Sequence, residues 1–299
     1  MKRHIHMLWL TPLFSVLMLV AMLAIPLSAS AATNSKVHIM HNRGTQPRIG
    51  FAGSNLNYNG GPVVTGTANV YAIFWEPSGS TVSANYNSLI QRFIGDVHGT
   101  TWYQILSQYK NSSNNGPVTG RLAGSFVDTR GYPGNPMFDS DIQNEVSHAQ
   151  SVNGWGTSIN NLFFVFTAKN ENECFDTSRS QCTFTTYCGY HSTFGGSNTI
   201  YAYLPYTGTS LNGCGVPQTP NHNIDADSTI NVTSHEFAEA VTDPWLNAWF
   251  DANGQEIGDK CNFQFASNSP NGDTTMNGHP YEIQEEWSNR RSSCHLNVY

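Results

Sequence analysis

Hydrophobic and polar positions fall in blocks along the chain, and the period of each block predicts its element. Residues 68–75 (ANVYAIFW) are apolar at almost every position, the pattern of a central strand covered on both faces. From Ser83 the period lengthens. Tyr86, Leu89, Ile90, Phe93, Ile94 and Val97 recur at helical intervals, with Ser83 as the expected cap. A shorter helix is predicted over 101–109, carrying Trp102, Ile105, Leu106 and Tyr109, before the polar loop 111–117. A strand over 120–128 follows, then a helix opening at Asp139 or Ser140 and bearing Ile142, Val146 and Ala149. Residues 162–166 (LFFVF) read as a buried strand and the Cys-rich stretch 171–197 as loop. Residues 199–204 (TIYAYL) alternate as a strand, placed at a sheet edge because Pro205 ends it. Residues 225–228 (DADS) start a helix that runs through Ile230, Val232, His235, Glu239 and Val241 and stops before Pro244. Asn253-Gly254 predicts a hairpin turn, and 281–287 and 295–299 closing strands. The class expected is α+β: a mixed β-sheet packed with helices, laid out like the catalytic domain of a zincin peptidase.

The start of the chain is of another kind. Lys2 and Arg3 precede an apolar run over 7–25, Pro26 breaks it, and Ala29-Ser30-Ala31 is the small-x-small site of an export signal. Residues 1–31 are therefore expected to be a signal peptide, 32–60 a linker or pro-like segment, and 61–299 a single α+β domain with disulfide-rich loops. Once cleaved, the chain keeps no stable membrane anchor and is secreted. Removing two basic residues and no acidic one takes the net charge from −7 to −7 − 2 = −9. That balance excludes nucleic acid as a partner, which requires clustered positive charge. All six cysteines lie between Cys174 and Cys294, and an even count in an exported chain reads as disulfides. Cys261 is expected to pair with Cys294. Cys174, Cys182, Cys188 and Cys214 then form two bridges with three possible connectivities.

The candidate chemistry sits in His235-Glu236-Phe237-Ala238-Glu239. Residues four apart on a helix project side by side, so His235 and Glu239 can share one ion while Glu236 points about 100° away. This is the geometry of His-Glu-x-x-His zinc sites, in which the intervening Glu activates water. Here the second ligand is a carboxylate, which zinc accepts, although the added negative charge also admits calcium or manganese. A third ligand is needed. Asp259 is preferred and Glu256 is next, both in the segment after the helix, while Asp243 reads better as the start of an Asp-Pro turn. The same His235–Glu239 spacing also describes an ordinary surface pair. His191 lies in the disulfide-dense loop, from which it could reach the metal, but reads better as a surface loop residue, and Asp251-Ala252-Asn253-Gly254 reads as a turn rather than a calcium loop. Of the glycosylation triplets Asn111-Ser112-Ser113 and Asn231-Val232-Thr233, the second falls inside the predicted helix and is discounted.

The chain resembles the phosphate-induced protein 1 family, the exordium-like extracellular proteins. The matching stretches are 59–64 (NGGPVV), 70–75 (VYAIFW), 188–191 (CGYH), 225–249 with its Ser234-His235-Glu236-Phe237-Ala238-Glu239 core, 256–261 (EIGDKC) and 284–287 (QEEW). The resemblance implies a cell-surface protein linked to growth and nutrient responses, and brings no established catalytic activity with it. Two readings follow. In the first, the protein is a secreted metallopeptidase-like hydrolase: zinc on His235, Glu239 and Asp259 or Glu256, Glu236 as general base, and an extracellular protein or peptide as substrate. In the second, it is a non-catalytic extracellular protein, with a structural metal or none, that acts at the cell wall or surface in growth or nutrient response, with a cell-wall component as partner.

Overall fold

The computed structural model describes residues 37–45, 54–196, 198–267 and 269–298; the expected signal peptide lies outside them. Six strands form the main sheet: β1 (Val37–His41), β2 (Gly66–Trp75), β3 (Pro117–Asp128), β4 (Asn161–Thr167), β5 (Tyr187–Phe194) and β6 (Thr199–Leu204). Their order across the sheet is β1-β5-β6-β4-β2-β3. Strands β3, β2, β4 and β6 run parallel, β5 pairs antiparallel with β6, and β1 pairs antiparallel with β5. The sheet is mixed and the class α+β, as the patterning predicts.

Parallel strands require crossovers, and helices supply them. Helix α1 (Tyr86–Asp96) connects β2 to β3, α2 (Asp139–Asn153) connects β3 to β4, and α3 (Ile224–Thr242) follows β6. Alternate residues of each strand point to opposite faces, which divides the core in two. Val70, Phe74, Phe164, Phe166 and Leu204 pack with α1 and α3 on one face. Ile73, Phe163, Val165, Tyr190 and Tyr201 pack with α2 on the other. Phe237 of α3 meets Tyr103, Trp102 and Phe164 edge-on or tilted, at ring separations of 5.8–6.3 Å. Gly120 of β3 leaves the room this needs, because a Cβ there would lie 2.6 Å from the Phe237 ring.

Several expectations are corrected. Residues 187–194, expected as loop, form β5; Tyr187, Tyr190, Thr193 and Phe194 suit a pleated, buried surface better than a loop. Residues 199–204 are not an edge strand. They lie between β4 and β5, and Pro205 only terminates them. Residues 37–41 and 57–58, expected as linker, are strands, and 37–41 extends the main sheet. Ser83 does not cap α1; its hydroxyl bonds Asn223, and Asn85 precedes the helix in the left-handed region. The second helix shortens to Tyr103–Leu106. In place of a hairpin at Asn253-Gly254 there is a turn organised by Asp251, whose carboxylate accepts the Asn253 and Gln255 N–H groups. The cysteines pair as 261–294, 174–182 and 188–214. Among the described residues, no helix is long and apolar enough to cross a membrane.

Candidate metal centre

Helix α3 begins where the Asn223 side chain accepts the Ala226 N–H, and from Ala226 to Thr242 every residue is buried. Each polar side chain on it must therefore find a partner within the protein. Most do so locally. Thr233 and Thr242 donate to carbonyls one turn back, and Ser234 donates to Asn231 O. Asn231, the discounted glycosylation residue, is buried and accepts the Gln284 backbone N–H at 2.7 Å. His235, Glu236 and Glu239 lack such an outlet and meet side chains from other elements.

The predicted ligands come together. His235 Nε2 lies 3.2 Å from Glu239 Oε1 and 3.9 Å from Asp259 Oδ1. The Glu256–Asp259 segment is fixed against the helix: the Asp259 N–H donates to Glu239 Oε1 at 3.1 Å, and the Glu256 N–H to Asp259 Oδ2 at 3.0 Å. The 261–294 disulfide anchors its end. Gly258 packs flat on the imidazole, since a Cβ there would lie 2.7 Å from His235 Nδ1. On the far side of the ring, Gln284 Nε2 is 3.1 Å from Nδ1 and 2.9 Å from Gly258 O, leaving Nε2 to the carboxylates. Asp243 is not among them. Its Oδ1 accepts the Asn247 and Ala248 N–H groups, as an Asp-Pro turn requires.

Two histidines outside the predicted ligand set join the cluster. His191 is not a surface loop residue: it is fully buried on β5, with Nδ1 3.4 Å from Glu236 Oε2 and 3.6 Å from Glu239 Oε2. His38 on β1 lies in the stretch 32–60 that the sequence patterning marks as linker. Its Nδ1 lies 3.4 Å from Glu239 Oε2 and 3.3 Å from Asp259 Oδ2, and its Nε2 3.6 Å from Glu256 Oε1. The short run Val-His-Ile-Met-His is the one local sign that 37–41 is a strand.

Burial and mutual charge set the protonation of this cluster. Burial by itself would lower the His235 pKa, but Glu239, Glu236 and Asp259 outweigh it and raise it to about 10. The same contest, with Glu236 and Glu239 on the other side, raises His191 to about 9. Burial pushes the carboxyls of Glu236, Asp259 and, furthest, Glu256 upward. Burial works on Glu239 in the same direction, yet His235, His38 and His191 hold it well below the usual carboxylate range. Glu239 is thus the fixed anion at the centre of three imidazoles.

A divalent cation fits this donor set. His38 Nδ1, His235 Nε2, Glu239 Oε2 and Glu256 Oε2 are buried without a hydrogen-bond partner, although each lies within 4.0 Å of an opposite charge. Close but misaligned donors and acceptors are the geometry of ligands aimed at a shared point. Three overlapping triplets have ligand atoms within 4.8 Å of one another: His38–Glu239–Glu256, His191–Glu236–Glu239 and His235–Glu239–Asp259. Glu239 belongs to all three.

Comparison with known proteins gives the chain relatives but no solved structural counterpart. It is 25% identical over 255 residues to Protein EXORDIUM-like 5 of Arabidopsis thaliana, covering 74% of this chain and 69% of that one. It is 25% identical over 233 residues to Protein EXORDIUM-like 3 of the same plant, covering 67% of this chain and 66% of that one. No solved structure matches it significantly. The phosphate-induced protein 1 conserved region matches residues 56–279, a span that takes in β5, α3 and the Glu256–Asp259 segment but stops short of β1. The chain belongs to the phosphate-induced protein 1 family.

Proposed function

We propose that this protein is a secreted, metal-dependent hydrolase of the peptidase kind, with its centre on α3. The observation that carries the reading is the convergence of unpartnered buried ligand atoms on Glu239. His235, Glu239 and Asp259 would hold the ion, with Glu256 as the neighbouring carboxylate. Zinc suits the nitrogen and oxygen donors, and calcium or manganese are alternatives favoured by the carboxylates. When bound, such an ion supplies Lewis acidity and makes a water a nucleophile near neutral pH. Glu236 would take the proton from that water: its Oε1 has no partner, and its Oε2 faces His191. His191 would hold the Glu236 carboxylate in place and balance its charge. The antiparallel strand β5 lies over the motif helix through His191, while β6, an internal strand parallel to β4, leads into that helix. The three disulfides and the exordium-like relatives support an extracellular setting, with a protein or peptide as the substrate class.

A second reading has its own observation. Glu236 is fully buried, and His38 closes the cluster from β1. A cation held by His38, His235, Glu239 and Asp259 would have four protein ligands, the mark of a structural site. The protein would then be non-catalytic and act at the cell wall. Metal analysis of protein purified without chelator, followed by digestion of a broad peptide library by the native protein and the Glu236→Gln variant, each intact and cut between Thr45 and Ser54, separates the two. The hydrolase reading expects bound metal in both proteins and cleavage only by the native one. Metal with no cleavage favours the structural site, and protein lacking metal would sink both metal readings.

A further inference from the structure

The edge of the sheet beside the cluster is occupied by the chain's own N-terminal strand. β1 lies antiparallel on β5 with Val37 opposite Ser192, His38 opposite His191, Ile39 opposite Tyr190 and Met40 opposite Gly189. β5 is bonded to β6 along its other side, so without β1 it would be the sheet's edge. An edge strand presents a row of free N–H and C=O groups, which an extended polypeptide recognises by adding as a further strand. This edge runs directly over the candidate centre, since His191 and Gly189 both lie against Glu236.

β1 has the features of an occupant rather than of a structural member. It lies outside the matched conserved region, which begins at residue 56. No disulfide ties it down, as all six cysteines lie between Cys174 and Cys294. Met40 seats it in the core, the Asn262 side chain holds the His41 carbonyl at 2.8 Å, and Asn42 and Arg43 continue the bonding to Thr186 and Gly213. It reaches the cluster through His38, with His41 close enough to feel the charges of Asp259, His235 and Glu239. With 20% of its side chain exposed, His38 is the boundary between the carboxylates and solvent.

We infer that the β5 edge is a groove for an extended polypeptide, and that residues 37–41 fill it in the intact chain, with His38 placed over the centre where a bound chain would pass. The inference rests on the reading of the centre as a working site, and names both its substrate class and its regulation. Cutting the chain between Thr45 and Ser54 and letting the segment diffuse away would open the groove. A short tether gives an effective concentration in the millimolar range, roughly, so a segment of micromolar affinity leaves the groove open about one part in a thousand. Release should therefore raise peptide binding by about 10²- to 10³-fold.

The test uses the full chain with a specific protease site in place of residues 46–52, intact or cut, and the uncut variant Met40→Asp, whose buried charge unseats the strand. A labelled peptide of residues 33–45 is titrated by fluorescence anisotropy, with near-ultraviolet circular dichroism to verify the fold. The expected result is no binding by the intact chain, and saturable binding, competed by unlabelled peptide, by the cut chain and by Met40→Asp. Equal binding by intact and opened protein, or none by folded cut chain and folded Met40→Asp, overturns the inference. Hydrolysis of a denatured protein substrate is followed in parallel. Gained binding without hydrolysis keeps the groove and removes the hydrolase, whereas hydrolysis unchanged by opening removes the groove and keeps the hydrolase.

Discussion

If His235 ligates a metal through Nε2, the ion must displace a proton, and the structure says how hard that is. Glu239, Glu236 and Asp259 raise the imidazole to about 10, against 6.5 for an ordinary histidine. At neutral pH the ring therefore holds its proton about a thousand to one, and the apparent metal affinity falls by that factor below its limiting value. Each unit of pH recovers about tenfold, or about 1.4 kcal/mol, until the pKa is passed. A plot of log apparent affinity against pH should thus rise with a slope of at least one between about pH 6.5 and about pH 9. A slope near two would mean that a second proton leaves, from His38 or from the Glu256 carboxyl, both of which stand well above their ordinary values. The assay is competition against a chromophoric chelator, corrected for the chelator's own protonation, on native protein and His235→Gln. The variant should bind more weakly and lose about one unit of slope. A flat line for the native protein, or an unchanged slope for the variant, would refute His235 as a proton-displacing ligand.

Three further outcomes follow from the same geometry. Metal-stripped protein should lose stability as pH rises: His191, raised to about 9, contributes stability present below about 6.5 and lost as pH passes through about 9, on the order of 3 kcal/mol, measured as urea midpoints across that range. Unchanged midpoints would show that these imidazoles are not protonated in the fold. Gly258→Ala places a Cβ 2.7 Å from His235 Nδ1, so it should cost about 1–3 kcal/mol by overpacking and weaken metal about 10- to 100-fold, read by denaturation and chelator competition. Phe237→Ala should cost about 3–5 kcal/mol with an unchanged m-value, because it empties the contact of α3 with Tyr103 and Phe164 rather than the site.

How much of the site could be read from the sequence depended on how local each part was. His235, Glu236 and Glu239 lie within one turn and a half of helix, so their relation is fixed by helical geometry and was visible in the residues alone. Asp259 and Glu256 were legible because they follow closely and lie beside Cys261, whose bridge to Cys294 was the expected one. His191 and His38 reach the site only through strand pairing, which no local pattern encodes, so they were read as loop and linker. The Cys-rich, Gly-containing context of β5 argued for a loop. Tertiary pairing overrode it, because Gly189 is needed where a Cβ would strike Val232 at 2.7 Å. Pro205 misplaced β6 at an edge for a related reason: a proline ends a strand at any position in a sheet.

The cluster is a poor way to hold a fold together. Three imidazoles and four carboxylates lose most of their hydration here, and mutual attraction in the interior does not reliably offset that cost. An apolar core of the same volume would be at least as stable. The chain has the means to build one, since the opposite face of the same sheet is packed by Ile73, Phe163 and Val165. Two of the carboxyls buried on that face are satisfied by tyrosines: Asp139 accepts from Tyr190 and Tyr201, and Glu173 from Tyr187. In the centre on α3 two backbone N–H groups reach Glu239 Oε1 and Asp259 Oδ2, but His38 Nδ1, His235 Nε2, Glu239 Oε2 and Glu256 Oε2 stay unpartnered although close at hand. The contrast with the Asp139–Tyr190–Tyr201 cluster is what the proposed cation would explain: a charge from outside the chain would satisfy the atoms left unpartnered on α3. In metal-stripped protein, protons on His38, His191 and His235 stand in for that charge. This is why metal affinity, stability and pH should prove inseparable at this site.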